Sequence, residues 1–257
     1  MNWLSQIADK LDPYERKARI FPGLLVVLPL LVPVLAVFGP KNPLMTAVVG
    51  LIGGCGAIYA MGSIARGRGK VVEERLVAKW GGMPTTIMLR HRDRTLEASS
   101  KIGYHALIRS RLGVTLPTAD EEAENPGAAD DAYKGAVRYL RELTRGKAFQ
   151  LLLKENIAYG FHRNMLGVRP WGWLTSFLGV MLGLLMAGAV TIRPAFSFDL
   201  MAFGQMPLGA GVTLGVAVPM LLGWFHFSED SVRRISYVYA ERLFESLRSL
   251  PATRRRS

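Results

Sequence analysis

Apolar residues along this chain are gathered into blocks instead of being spread with a helical or strand period. Four blocks stand out, at residues 20–38, 44–65, 171–192 and 208–227. Each is about 20 residues, the length that crosses a ~30 Å hydrocarbon core at 1.5 Å per residue. None holds Asp, Glu, Lys or Arg within its core. Charge-free runs of this length argue against buried core helices of a soluble protein and predict four transmembrane helices. The first run follows a segment with both acidic and basic groups and lacks a small-residue cleavage site after it, so it reads as a retained span, not a signal peptide.

The expected fold is therefore an all-α membrane protein with a mainly helical cytoplasmic domain inserted between spans two and three. Residues 1–19 read as a cytoplasmic amphipathic helix and its flank, 20–65 as transmembrane helices one and two, and 66–170 as the inserted domain. Residues 171–227 read as helices three and four, and 228–257 as an amphipathic C-terminal helix with a basic tail. Before the first run, Trp3, Leu4, Ile7, Ala8 and Leu11 share one helical face, which suits a helix lying in the headgroup layer. Within that run Pro22, Pro29 and Pro33 remove helix hydrogen bonds, so it is expected to be bent and packed against neighbours. Gly50 and Gly54, Gly179 and Gly183, and Gly211 and Gly215 are GxxxG pairs that let another backbone come close. They serve either packing within the chain or association between copies. Trp171, Trp173 and Trp224 fall near the ends of the third and fourth runs, as interfacial aromatics do.

The long polar segment reads as helices. Val71, Val72, Leu76 and Val77 mark the buried side of a helix stopped by Gly81-Gly82 and Pro84. Residues 85–90 read as a short strand or extended connector. Ile102, Leu107, Ile108 and Leu112 point inward on a helix capped by Ser99 or Ser100 and stopped by Gly113. Thr118 and Glu121 form a capping-box pattern, while the acid-rich residues 120–131 read as an exposed loop broken at Asn125-Pro126-Gly127. A helix from Asp130 to Thr144 turns Tyr133, Ala136, Val137, Leu140 and Leu143 to one side. A last one covers residues 148–166 and ends at Gly167 and Pro170. After the fourth run, Val232, Ile235, Tyr239, Leu243, Leu247 and Leu250 recur at steps of three and four, and this helix is expected to pack on the middle domain.

Charge adds orientation. The net charge is +12, yet nineteen of the 32 Lys and Arg lie in residues 66–170, with Lys41 and Arg193 alone near the two short connections. The positive-inside rule places both termini and the middle segment in the cytoplasm of a multi-pass protein of a bacterial inner membrane. Anionic lipid headgroups are the expected partner of this charge, and nucleic acid is not expected.

Candidate chemistry is sparse. Arg66-Gly67-Arg68-Gly69-Lys70 lacks the register of a phosphate loop, and it follows an apolar run instead of a strand. His91-Arg92-Asp93 matches a kinase triplet in letters, but Ala98 stands where the metal-binding Asn is needed. The lone Cys55 and the scattered His91, His105, His162 and His226 give no metal-ligand spacing, and no cofactor is implied. Midplane charges of the kind used by coupled transporters are absent from the apolar runs. Two polar stretches remain as candidate ligand- or partner-binding sites. One holds Arg90, His91, Arg92 and Asp93; the other holds Glu155, Asn156, Tyr159, Arg163 and Asn164. The plainer reading of each, and the favoured one, is a buried polar network that fixes the domain.

These stretches also carry a resemblance. Residues 80–86 (Trp-Gly-Gly-Met-Pro-Thr-Thr), 89–93 (Leu-Arg-His-Arg-Asp) and 155–164, with Tyr14-Glu15-Arg16-Lys17-Ala18-Arg19, resemble a widespread set of bacterial four-span membrane proteins. The resemblance covers most of the chain and implies no activity, cofactor or catalytic residue. A looser similarity of architecture is to small membrane effectors of anti-phage defence, whose cytoplasmic part senses and whose spans form pores. Three functions follow as expectations. The first is a sensor-effector that oligomerises with its own copies and perturbs the membrane. The second is a non-catalytic anchor or scaffold for a cytosolic protein, and the third is an enzyme at the cytoplasmic face. The sequence leans away from the enzyme.

Overall fold

The computed structural model describes residues 12–38, 57–193 and 195–251. The expected N-terminal amphipathic helix, Gly50, Gly54, Cys55 and the basic tail at Arg254–Arg256 lie outside them. The described residues are 80% helical, and the fold is all-α. A π-helical turn Glu15–Ile20 leads into α1 (Phe21–Phe38). Then come α2 (Ala57–Trp80), α3 (Pro84–Ile87), α4 (Ala98–Leu112), α5 (Ala119–Glu124), α6 (Pro126–Leu143) and α7 (Gln150–Met186). A hairpin of β1 (Val190–Thr191) and β2 (Ser197–Phe198) precedes α8 (Leu208–Gly223) and α9 (Glu229–Glu245).

The expectation of four spans is corrected. Among the described residues two helices are long and apolar enough to cross a membrane, Glu15–Leu35 with mean hydropathy 2.2 and Leu208–His226 with 1.7. Such helices support membrane association. The other two runs fall short for different reasons. Run 44–65 lies mostly outside the described residues, and where α2 begins at Ala57 its apolar residues pass within about four turns to Arg66, Arg68 and Lys70. Run 171–192 is only in part helical, because α7 stops at Met186 and Gly188 turns the chain at φ +73° into the hairpin. The polar first half of α7 belongs to the same helix, since neither Gly167 nor Pro170 ends it.

The chain divides into two compact units. Unit one comprises residues 1–73 and 160–232, and unit two comprises 74–159 and 233–257. In unit one, α1 packs along α8. Pro33 has no N–H to offer the Pro29 carbonyl. That carbonyl faces Gly179, where an added methyl would lie 2.7 Å from it. Gly183 is closed in by Leu214, whereas nothing within 4 Å would meet a methyl at Gly215; a methyl at Gly211 would touch only Met206. Thr175 donates to the Val26 carbonyl at 2.5 Å, and the buried Trp224 indole donates to Ser176 at 3.1 Å. Gly167 permits a still closer approach, since a methyl there would sit 2.7 Å from the Arg68–Gly69 backbone.

Unit two has its own apolar core. Leu89, Tyr104, Ile108, Tyr133, Leu140 and Leu152 meet Leu243, Phe244 and Leu247 from α9 and the turn after it. The C-terminal helix therefore packs on the middle segment. Several local expectations change. Residues 84–87 form a short helix with Pro84 in its first turn, not a strand. Residues 120–131 are helical, not a loop: Thr118 and Glu121 close a capping box, and Asn125 caps α6 from the Ala128 N–H with Pro126 at its first position. Asn125-Pro126 thus starts a helix instead of breaking one. Ile102 is 69% exposed, and Tyr104 and Lys101 take the inward positions on α4. Val71 and Leu143 also face outward.

Candidate functional site

In unit two the basic stretch after α3 meets the acids of α5 and α6. The Arg90 guanidinium grips the Asp130 carboxylate through two bonds, Nε to Oδ1 at 2.8 Å and Nη2 to Oδ2 at 2.7 Å. Its Nη2 also donates to the Gly81 carbonyl at 2.7 Å. Gly82, at φ +148°, is needed beside it, because a side chain there would come within 2.9 Å of Arg90 Nη2. Arg92 donates to Glu122 at 2.8 Å and to Asp130 at 3.3 Å.

Glu122 is the centre of this network. It is 2% exposed and accepts from the Tyr133 hydroxyl at 2.6 Å, the His91 N–H at 2.7 Å and the Arg92 N–H at 3.3 Å, besides the Arg92 side chain. Burial pushes its carboxyl pKa up. The bonds from Tyr133 and the two backbone N–H groups, with the Arg92 charge, outweigh that and hold it below the usual value of 4.5. Tyr133 moves the other way: burial and the bond to an anionic partner raise its hydroxyl far above 10.0, so it stays a donor.

Lys101 and His105, one turn apart on α4, tie down the same stretch. Lys101, buried, donates to the Arg90 carbonyl at 2.6 Å and to the Asp93 carbonyl. His105 donates through Nε2 to the Leu89 carbonyl at 2.9 Å, and His91 likewise to the Pro117 carbonyl at 3.0 Å. Their rings meet edge to face, 4.8 Å apart. Burial, with help from the His91 and Lys101 charges, depresses His105 below 6.5 despite the carbonyl it bonds. Asp93 turns inward on its own loop, accepting from the Thr95 N–H at 2.9 Å.

The second predicted stretch falls in different places. Glu155 and Asn156 are half-buried on α7, and Tyr159 stacks on Tyr239 within unit two, ring centres 6.1 Å apart. Arg163 and Asn164 belong to unit one, where both are buried. Arg163 pairs with Glu73 at 3.0 Å, and its Nε donates to the Asn164 side-chain oxygen Oδ1 at 3.2 Å. The Asn164 amide donates to the Ala18 carbonyl at 2.6 Å and so clamps the turn before α1. Gly69 makes room for it, since a methyl there would meet Asn164 Oδ1 at 2.0 Å. Gly69 thus has a packing role at a buried amide.

Both clusters are closed around their own partners. An open depression beside α5 is lined by Thr115, Leu116, Pro117, Glu121, Asn125 and Ala129; it meets the Glu122 network at the Pro117 carbonyl that His91 bonds. Among the described residues no three His, Cys, Asp or Glu side chains are placed to hold a metal ion. The residues missed from the sequence are Lys101, Glu122, Asp130 and Tyr133. A signal for two of them was present, in the opposite charge of residues 90–94 and 120–131 and in the helix-start pattern at Thr118. No protein-family model, curated protein or solved structure matches this chain.

Proposed function

We propose that this chain is a non-catalytic anchor of a bacterial inner membrane, whose unit one resides in the bilayer and whose unit two offers a helical surface to a cytosolic protein. The observation that carries this reading is the Glu122 network. The polar residues with most chemical potential, Arg90, Arg92, Glu122 and Tyr133, saturate one another and fix the loop to α5 and α6. Buried ion pairs arranged this way rigidify a fold, and they leave few donors or acceptors for a substrate. An oligomerising effector is less favoured, because Gly179 and Gly183 are engaged by Pro29, Ala217 and Leu214 of the same chain.

The partner-facing side of unit two is assigned to α6, where Tyr139 and Leu143 stand exposed one turn apart. The test is capture from the source cytosol with the full chain in lipid nanodiscs, beside a Tyr139→Ala/Leu143→Ala variant. A stoichiometric partner held by the wild type and lost by the variant is expected. Equal capture by both rejects the α6 surface. Depolarisation of cells on expression, without a partner, supports the effector instead.

A further inference from the structure

Connections between helices usually present polar side chains to water. The connection from α7 to α8 does the opposite. Between Gly188 and Leu208 its only charged residues are Arg193 and Asp199. Phe196 is 75% exposed, Met201 is 86% exposed, and Ile192, Phe198, Leu200 and Leu208 are exposed as well.

This segment is folded. Val190 pairs with Phe198 and Thr191 with Ser197 in an antiparallel hairpin, and the Thr191 and Ser197 hydroxyls meet at 2.6 Å. The Asp199 N–H donates to the Ala189 carbonyl at 2.9 Å, and the Asp199 carboxylate accepts from the Met201 N–H at 2.8 Å, opening a 3₁₀ turn at Leu200–Gln205. Behind it Ala187, Ala189 and Ala210 form a small core with Met206. The inner side is thus pinned, the backbone is bonded locally, and the aromatic side chains are turned outward.

Its place in the chain names the occupant. Leu208, which ends the connection, begins the second candidate span. The end of a span lies at a bilayer surface, where internally bonded backbone and outward aromatics are the stable arrangement. We propose that the β1–β2 hairpin and the Leu200–Gln205 turn form an interfacial anchor, with Phe198 and Met201 seated among the upper acyl chains at the start of α8. This rests on the reading of α8 as a membrane span.

The test uses the full chain with Cys55→Ser, single cysteines at Met201 or Phe198, and a nitroxide label, in vesicles of phosphatidylcholine and phosphatidylglycerol. Labels at Leu222, exposed on α8, and at Ser110, exposed on α4, serve as references. Collision with lipid-soluble oxygen is compared with collision with a water-soluble nickel chelate. The anchor predicts an oxygen-to-nickel ratio at Met201 and Phe198 severalfold above that at Ser110. If both positions match Ser110 while Leu222 is lipid-like, the anchor is wrong and the span stands. If Leu222 also collides freely with nickel, the span itself is wrong and the anchor falls with it. Shielding of Met201 from both reagents means that protein covers the surface, a second copy or a partner, and overturns lipid as the occupant.

Discussion

Glu122→Gln is the sharpest perturbation available to this fold. The substitution keeps the shape and removes the charge on which four donors converge: the Tyr133 hydroxyl, the His91 and Arg92 N–H groups and the Arg92 side chain. Glutamine offers a single acceptor oxygen and turns an amide NH₂ toward groups that are themselves donors. Hydrogen bonds to charged groups contribute about 1.5–3 kcal/mol each. Arg92 is 44% exposed, so the share from its ion pair is screened to about 1 kcal/mol or less. The losses at Tyr133 and His91 therefore dominate, and the expected destabilisation is about 2–4 kcal/mol. The assay is denaturant unfolding of the full chain in nanodiscs, read by hydrogen exchange in α5 and α6. The pH dependence gives an independent check. Folded Glu122 binds its proton less readily than the unfolded residue, so its stabilisation is full above the ordinary value of 4.5 and is lost as pH falls through the lowered one. The wild type should show an acid limb there that the variant lacks. A variant within about 0.5 kcal/mol of wild type, the size of an ordinary surface substitution, with the acid limb intact, would falsify the structural role assigned to Glu122.

Three further outcomes are expected. Gly167→Ala forces a methyl to 2.7 Å from the Arg68–Gly69 backbone and should cost about 1–3 kcal/mol, while Gly215→Ala, with open space around it, should stay within about 0.5 kcal/mol, both by thermal unfolding in detergent. His105 is held neutral, so wild-type stability should fall as pH drops from 6.5 toward its lowered value, and His105→Gln should flatten that region of the unfolding curve. Asn164→Ala leaves the Ala18 carbonyl and the Arg163 Nε without their partner and should cost about 1–3 kcal/mol, seen as faster hydrogen exchange in the turn Glu15–Ile20; unchanged exchange there refutes the clamp.

What could be read from the sequence was what local rules govern. Glycine at 81, 82 and 113 marks helix ends because each sits at positive φ. The Thr118–Glu121 box forms because both partners lie within one turn. The stripe from Leu243 to Leu250 reaches the core because apolar periodicity and burial agree in α9 and the 3₁₀ turn that follows it. The failures are of a different kind. By local rules Pro170 marks a helix end, but α7 continues through it, since a proline in a long helix removes one bond and the rest of the ladder holds. By composition alone the third apolar run reads as a span, and only geometry reveals that Gly188 turns the chain before Val190.

The polar residues were hardest to place, for a reason rooted in distance along the chain. Arg90 meets Asp130 across 40 positions, Arg163 meets Glu73 across 90, and Asn164 reaches Ala18 across 146. No periodicity in one segment announces such a partner. Hydrophobic patterning says which face of a helix turns inward, but a buried charge is placed by the element opposite it. The acid-rich residues 120–131 illustrate this: by composition they belong to a solvated loop, and it is the Arg90 and Arg92 side chains, with the Tyr133 hydroxyl and the His91 N–H, that make burial of Glu122 and partial burial of Asp130 tolerable. The same logic makes these clusters fragile in one direction only. Removing either partner strands a charge, whereas replacing both with well-packed apolar residues need not destabilise at all. A paired Arg90→Met/Asp130→Leu replacement should therefore recover much of the stability lost in Arg90→Met alone. If it recovers none, apolar packing cannot replace the Arg90–Asp130 contacts, and the one-sided fragility argued for this pair is wrong.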